Sequence, residues 1–141
     1  MARFARTLIL GLAAAPLLAG CATMMPGEKP VTVSGTITYR ERIALPPTAQ
    51  VEVQLADVSL ADAPSRTIAQ QSFTADGRQV PFAFSLTVDE RRLDPRGSYA
   101  VSARITDASG RLMFITDTRN SVRFDGRPAI DMGTLVMVKT R

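Results

Sequence analysis

From Val31 to the end of the chain, apolar and polar residues alternate with a period of two, and no stretch repeats at helical spacing. Successive side chains of a strand point to opposite faces, so this alternation specifies strands with one face in a core and the other in water. Val31, Val33, Gly35, Ile37 and Tyr39 fall on one side of the first run, with Thr32, Ser34, Thr36 and Thr38 on the other. Val51, Val53 and Leu55 alternate with Glu52 and Gln54, and Val80, Phe82, Phe84, Leu86 and Val88 alternate with Gln79, Ala83, Ser85 and Thr87. Pro81 has no amide proton to give to a ladder, which places that run at a sheet edge or puts a bulge near its start.

Tyr99, Val101, Ala103 and Ile105 form a further run, followed by Asp107-Ala108-Ser109-Gly110 and then Leu112 to Thr116. An aspartate that caps the turn and a glycine at positive φ predict a β-hairpin here. Residues 135–138 (LVMV) are continuously apolar and read as a strand buried on both sides or lying against another surface; residues 67–73 and 121–124 are weaker strands. Asp89 predicts a single helical turn, capping the amides that follow, before Asp94-Pro95-Arg96-Gly97 ends it in a turn. The expected fold is all-β, an antiparallel β-sandwich or small barrel of about seven or eight short strands.

Ahead of the alternation lies a different kind of sequence. Arg3 and Arg6 precede a mostly apolar run over residues 7–18, shorter than the roughly 20 residues needed to cross a bilayer. A basic start and a short apolar run are the pattern of a secretory signal. Leu18, Ala19, Gly20 and Cys21 resemble the bacterial lipobox, in which small residues admit the backbone to a membrane peptidase and the cysteine thiol receives diacylglycerol. Cys21 is therefore the expected lipidation site, and several acyl chains at roughly 0.8 kcal/mol per buried methylene hold a protein in a membrane essentially permanently. Ala22 stands where, by the same resemblance, an aspartate would favour the inner membrane, which makes the periplasmic face of the outer membrane the expected location. The organisation read from the chain is a signal peptide over 1–20, a lipidated cysteine and flexible tether over 21–30, and one domain over 31–141.

Composition removes most enzyme classes. With no histidine, one cysteine and no tryptophan, a Ser-His-Asp triad, a Cys-His pair, a histidine-bearing zinc site and an internal disulfide are impossible. The formal charge is +4, but two of the 17 cations lie in the signal segment, leaving 15 cations against 13 acids, interspersed along the chain. Such a surface predicts no nucleic-acid partner. No cofactor is expected. Asp107, Asp117, Asp125 and Asp131 lack the calcium-loop ligand pattern, so no metal site is expected either.

Five stretches together resemble a known family: residues 33–47 (VSGTITYRERIALPP), 51–62 (VEVQLADVSLAD), 77–82 (GRQVPF), 99–107 (YAVSARITD) and 114–117 (FITD). In order and spacing they are similar to the bacterial YbaY-like lipoproteins, which share a domain with the YscW-type pilotins of type III secretion. The resemblance implies a β-sandwich on a lipid anchor with no catalytic residues to carry over. It also implies, for its pilotin branch, binding of a secretin subunit that the lipid helps bring to the outer membrane.

Three functions compete. The first is a non-enzymatic binding module or chaperone-like, pilotin-like protein for an envelope partner such as a secretin, using strand edges or an apolar surface at Met113, Phe114, Ile115 and residues 135–138, which otherwise form core. The second is a glycosidase built on a carboxylate pair, for which 13 acids give no particular pair and two tyrosines give a poor sugar platform. The third is a periplasmic inhibitor or envelope-stress lipoprotein presenting a loop, with Arg78 at the tip of Asp76-Gly77-Arg78-Gln79 or simply in a hairpin turn. Arg91, Arg92 and Arg96 stand as an anion site or as a solvated connection. The expectation is the first function.

Overall fold

The computed structural model describes residues 28–141. Cys21, its preceding Leu18, Ala19 and Gly20, and Ala22 lie outside the described residues. Eight strands follow in chain order: β1 (Pro30–Tyr39), β2 (Gln50–Asp57), β3 (Arg66–Thr74), β4 (Phe82–Asp89), β5 (Tyr99–Thr106), β6 (Leu112–Ile115), β7 (Asn120–Val122) and β8 (Ala129–Lys139). A single 3₁₀ turn, Glu90–Arg92, stands between β4 and β5. The strands hydrogen-bond in the order β3-β2-β5-β6-β8-β1-β4, with β7 paired to β5 beside β6. The all-β expectation therefore holds, as one curved, nearly closed sheet whose ends β3 and β4 approach each other.

The inward alternation is the one the sequence predicts. Val31, Val33, Ile37, Val51, Val53, Leu55, Val101 and Ile105 are all at most 1% exposed, and Phe82, Phe84, Leu86 and Val88 fill the β4 side. Phe114 stacks on Tyr39 at 3.9 Å between ring centroids, closing the core near the ends of β1 and β6. The outward face carries polar pairs such as Glu52 and Arg104, directly opposite on β2 and β5 and 3.0 Å apart. β4 is an edge of the strand path and Pro81 immediately precedes it, as its missing donor requires.

Two features depart from the sequence reading. β1 and β8 pair in parallel, whereas the alternation suggested antiparallel neighbours throughout. These are the first and last strands, so the rest of the domain serves as the long crossover that a parallel pair needs. β8 also runs for 11 residues, not the four of the apolar stretch, and its core side chains change parity: Ile130, Leu135 and Met137 point inward. Between Val33↔Ile130 and Ile37↔Leu135, β1 advances four residues and β8 five. The extra residue is accommodated around Gly133, at φ +68°, a conformation glycine adopts without Cβ strain. A like shift in β3 sets Ala69 opposite Leu55 and Thr67 opposite Ala56, which leaves Ile68 as an added residue and explains the weak alternation there. Leu135 and Met137 are buried on one side only, with Val136 and Val138 half-buried on the other.

Candidate functional site

Several of the residues singled out in the sequence build the ends of the barrel. Asp89 caps the 3₁₀ turn as predicted, accepting from the Arg91 backbone N–H at 3.1 Å and from the Lys29 N–H at 3.2 Å. The Arg91 guanidinium donates to the same carboxylate at 2.9 Å, and this bond, aided by the two amides, holds the Asp89 carboxyl at about 2. Arg92 lies 3.9 Å from Asp89. Arg91 and Arg92 thus turn toward an acid of their own segment, and the loop does not gather Arg91, Arg92 and Arg96 into one anion site. Asp107 accepts from the N–H groups of Ser109 and Arg111 and from the Ser109 hydroxyl, and Gly110 sits at φ +85°, the turn chemistry expected of the β5–β6 hairpin.

The end that carries Asp107, opposite Asp89, explains why residues 33–47 and 77–82 belong together. The Gln79 side chain accepts from Leu45 N–H at 2.8 Å and donates to the Leu45 carbonyl at 3.1 Å, while Tyr39 Oη donates to the Ile43 carbonyl. Burial and the nearby Glu41 carboxylate push the Tyr39 hydroxyl above its usual pKa. Arg78 folds back over its own turn: its guanidinium donates to the Thr74 and Ala75 carbonyls and lies 5.3 Å from the Phe73 ring centre. These contacts stay within its own turn, and the side chain remains exposed. Among the described residues, no cluster of acidic, histidine or cysteine side chains could hold a metal, and Asp107, Asp117, Asp125 and Asp131 are not brought together.

Of the apolar residues weighed as a binding surface, Phe114, Leu135 and Met137 are core, and Met113, Ile115, Val136 and Val138 are half-buried. The sequence reading missed the seam between β3 and β4. No backbone ladder joins these strands. They are bridged by the Gln71 side chain, whose Oε1 accepts from Ser85 N–H at 2.9 Å, and by an edge-to-face contact of Phe73 with Phe82 at 5.5 Å. Because Ser85 directs its N–H away from β1, the alternation of an antiparallel ladder turns the N–H and C=O of Ala83 and Thr87 to the same open side. The outward side chains of Ala83, Ser85 and Thr87 are small and exposed. An edge of this kind, with no charge or proline from Phe82 to Val88, is a template for an added strand.

A family model described as type III secretion system lipoprotein chaperone (YscW) matches residues 28–132. The chain belongs to this family. It is 42% identical over 118 residues to the uncharacterized lipoprotein YbaY of Escherichia coli K12, a match over 84% of this chain and 61% of that protein, so the chain spans less than two thirds of that curated relative. Among solved structures it matches an alternative pilotin from the type II secretion system of Vibrio cholerae, with 46% identity and a TM-score of 0.67, over 79% of this chain and all of that one. The YscW-family chain thus shares sequence and fold with a chaperone-like group of lipoproteins. The stretches that carry the resemblance are largely architectural: Gln79 and Leu45 tie one end of the barrel, and Tyr99, buried in β5, fixes the 93–98 loop at the other through the backbone N–H and C=O of Asp94.

Proposed function

We propose that this protein is anchored by lipid on Cys21 to the periplasmic face of the outer membrane, and that it holds an envelope partner of the secretin kind without catalysing a reaction. The observation that carries the reading is the β3–β4 seam, where a nearly closed sheet leaves backbone groups directed into an unladdered gap. An extended segment of a partner adds to the exposed β4 edge, its main chain replacing the Gln71 bridge and its alternate side chains giving specificity. Membership of the YscW family and likeness to a type II secretion pilotin support an envelope partner, and the lipobox-like Leu18, Ala19, Gly20 and Cys21, with Ala22 after it, support the anchor and its membrane.

The test is crosslinking in cells from photoreactive residues placed at Ala83 and Thr87, with Cys21→Ser as the unanchored control and a site on the β2 outer face, Gln54, as the control surface. One dominant partner captured at the β4 positions and absent from Gln54 is the expected result. Equal capture at all positions, or none at β4 while Gln54 captures a partner, would place the docking surface elsewhere.

A further inference from the structure

One end of the barrel gathers the start of β1, a groove and the most exposed large apolar side chain among the described residues. The registers Pro30↔Asp89, Asp57↔Tyr99, Tyr99↔Val122 and Thr32↔Ala129 place the start of β1, the loops after β2, β4 and β7, and the start of β8 at the same end. Leu60, in the loop after β2, is 72% exposed there, against 40% for Ile43, which follows β1 at the far end. Between these loops lies a groove of about 680 Å³ whose charged lining is Lys29, Arg91, Arg119, Arg123, Glu90 and Asp94.

The groove's charges do not balance. Lys29 is matched by Glu90 at 3.2 Å and Arg91 by Asp89 at 2.9 Å, while the Asp94 carboxylate pairs with no cation and accepts from Arg96 N–H at 2.8 Å, so that four cations face three acids. Arg119 donates only to a neutral acceptor, the Val58 carbonyl, at 3.1 Å, and Arg123 has no ion-pair partner among the described residues. Arg119 and Arg123 flank β7 on either side and are exposed, as is Ser121 within it, while Val122 points into the core. At about 3.3 Å per residue of extended chain the two arginines are at most roughly 13 Å apart, within reach of one headgroup layer on either side of Ser121. Paired guanidinium forks suit the oxygens of a phosphate.

We infer that this end of the barrel docks on an anionic phospholipid surface, Arg119 and Arg123 taking headgroup phosphate beside Ser121 and Leu60 entering the interfacial layer. The inference rests on the anchoring reading above: Lys29 lines the groove eight residues after Cys21, so a lipid on that cysteine keeps the membrane within about 29 Å. Docking makes the tethered domain sit in one orientation, with the β3–β4 seam rising away from the bilayer.

The chain has no tryptophan, so Leu60→Trp and Ile43→Trp each place one fluorophore, at opposite ends. The full protein is studied on vesicles of phosphatidylcholine alone and of phosphatidylcholine with phosphatidylglycerol in equal parts, with bromine on the acyl chains. Leu60→Trp emission is expected to shift to the blue and be quenched on the mixed vesicles, and Ile43→Trp emission to stay unchanged. An arginine reagent read by mass spectrometry should show Arg119 and Arg123 protected on the mixed vesicles, with Arg104 on the barrel wall unaffected. Each basic residue near an anionic leaflet is worth roughly fivefold in binding, so Arg119→Gln with Arg123→Gln should weaken the docked state about 25-fold. Equal quenching at both ends, no quenching at Leu60→Trp, or the same arginine protection by inorganic phosphate without vesicles overturns the proposal. Intact mass reports the lipid on Cys21 separately: its absence defeats the anchoring reading, while the response of Leu60→Trp to added vesicles still decides the docking.

Discussion

Gly35 lies on β1 opposite Phe84 and against the bulge of β8, and a methyl group there meets the Gly133 carbonyl oxygen at 2.6 Å and the Phe84 ring at 3.1 Å. Ordinary contact begins at 3.4 Å, so the carbonyl must retreat by about 0.8 Å and the ring by a few tenths. The carbonyl belongs to backbone held in the β1–β8 pair, and Phe84 is only 3% exposed, so neither moves freely. Overpacking of this kind costs about 1–3 kcal/mol. Alanine restricts the unfolded chain more than glycine does and returns about 0.4–1 kcal/mol. Gly35→Ala should therefore destabilise by about 1–2 kcal/mol. With an unfolding entropy of about 2.1 cal/mol/K per residue over the described span, that is a fall in Tm of roughly 4–8 °C. Thermal unfolding followed by circular dichroism measures it, and adding Phe84→Leu should give no rescue, because the harder contact is with backbone. An unchanged or raised Tm in Gly35→Ala would refute the close approach of β1 to β8, and with it the role given to the bulge.

Other substitutions test the core, the loop lock and the acid limb. Phe114→Ala removes a ring that is 1% exposed and stacked on Tyr39, and should cost about 3–5 kcal/mol in denaturant unfolding, well above the effect of Phe114→Leu. Tyr99→Phe removes a hydroxyl that both accepts from and donates to the Asp94 backbone; a loss of about 1 kcal/mol is expected, together with faster proteolytic cleavage within residues 93–98. Asp89 has its folded pKa lowered to about 2, so its stabilising contribution is complete above the unfolded carboxylate range near 4 and disappears as pH falls toward 2. Asp89→Asn should flatten the stability profile over that window, and an unaltered acid limb would show that the Arg91 bond and the two amides do not act on it.

The strands were legible in sequence because one-sided burial writes period-two alternation directly into β1, β2, β4 and β5. The Asp89 cap of Arg91 and the Asp107–Gly110 turn were legible for a related reason: each is a local device whose donors and acceptors sit within four residues of one another, while the Lys29 N–H that also reaches Asp89 is sixty residues away and was not. The β1–β8 pairing joins residues about a hundred positions apart, and no local pattern encodes it. The bulge at Gly133 went further and hid the first half of β8, ahead of the 135–138 strand, since an added residue moves Ile130 and Leu135 onto one face at an odd spacing that alternation reads as a break. The seam was invisible because it is defined by bonds that β3 and β4 do not make. Arg119 and Arg123 were likewise no motif; their unbalanced charge emerges only once Asp89 and Glu90 are seen to be taken by Arg91 and Lys29.

The two proposed surfaces constrain each other through the tether. Lys29 is fixed to the barrel by its N–H to Asp89, by its carbonyl, which accepts from Glu90 N–H at 3.0 Å, and by its side chain at Glu90, so the proposed lipid link would leave the domain from a defined point. A short link alone permits the domain to roll, and an edge strand that rolls against headgroups loses its open side. Phosphate contacts at Arg119 and Arg123 remove that freedom. β4 then runs from the membrane end outward for eight residues, roughly 26 Å at 3.3 Å each, and offers its free edge along the whole of that rise. Releasing the docked end by Arg119→Gln with Arg123→Gln should therefore lower capture at Ala83 and Thr87 without altering the thermal stability of the barrel, since neither arginine touches its core.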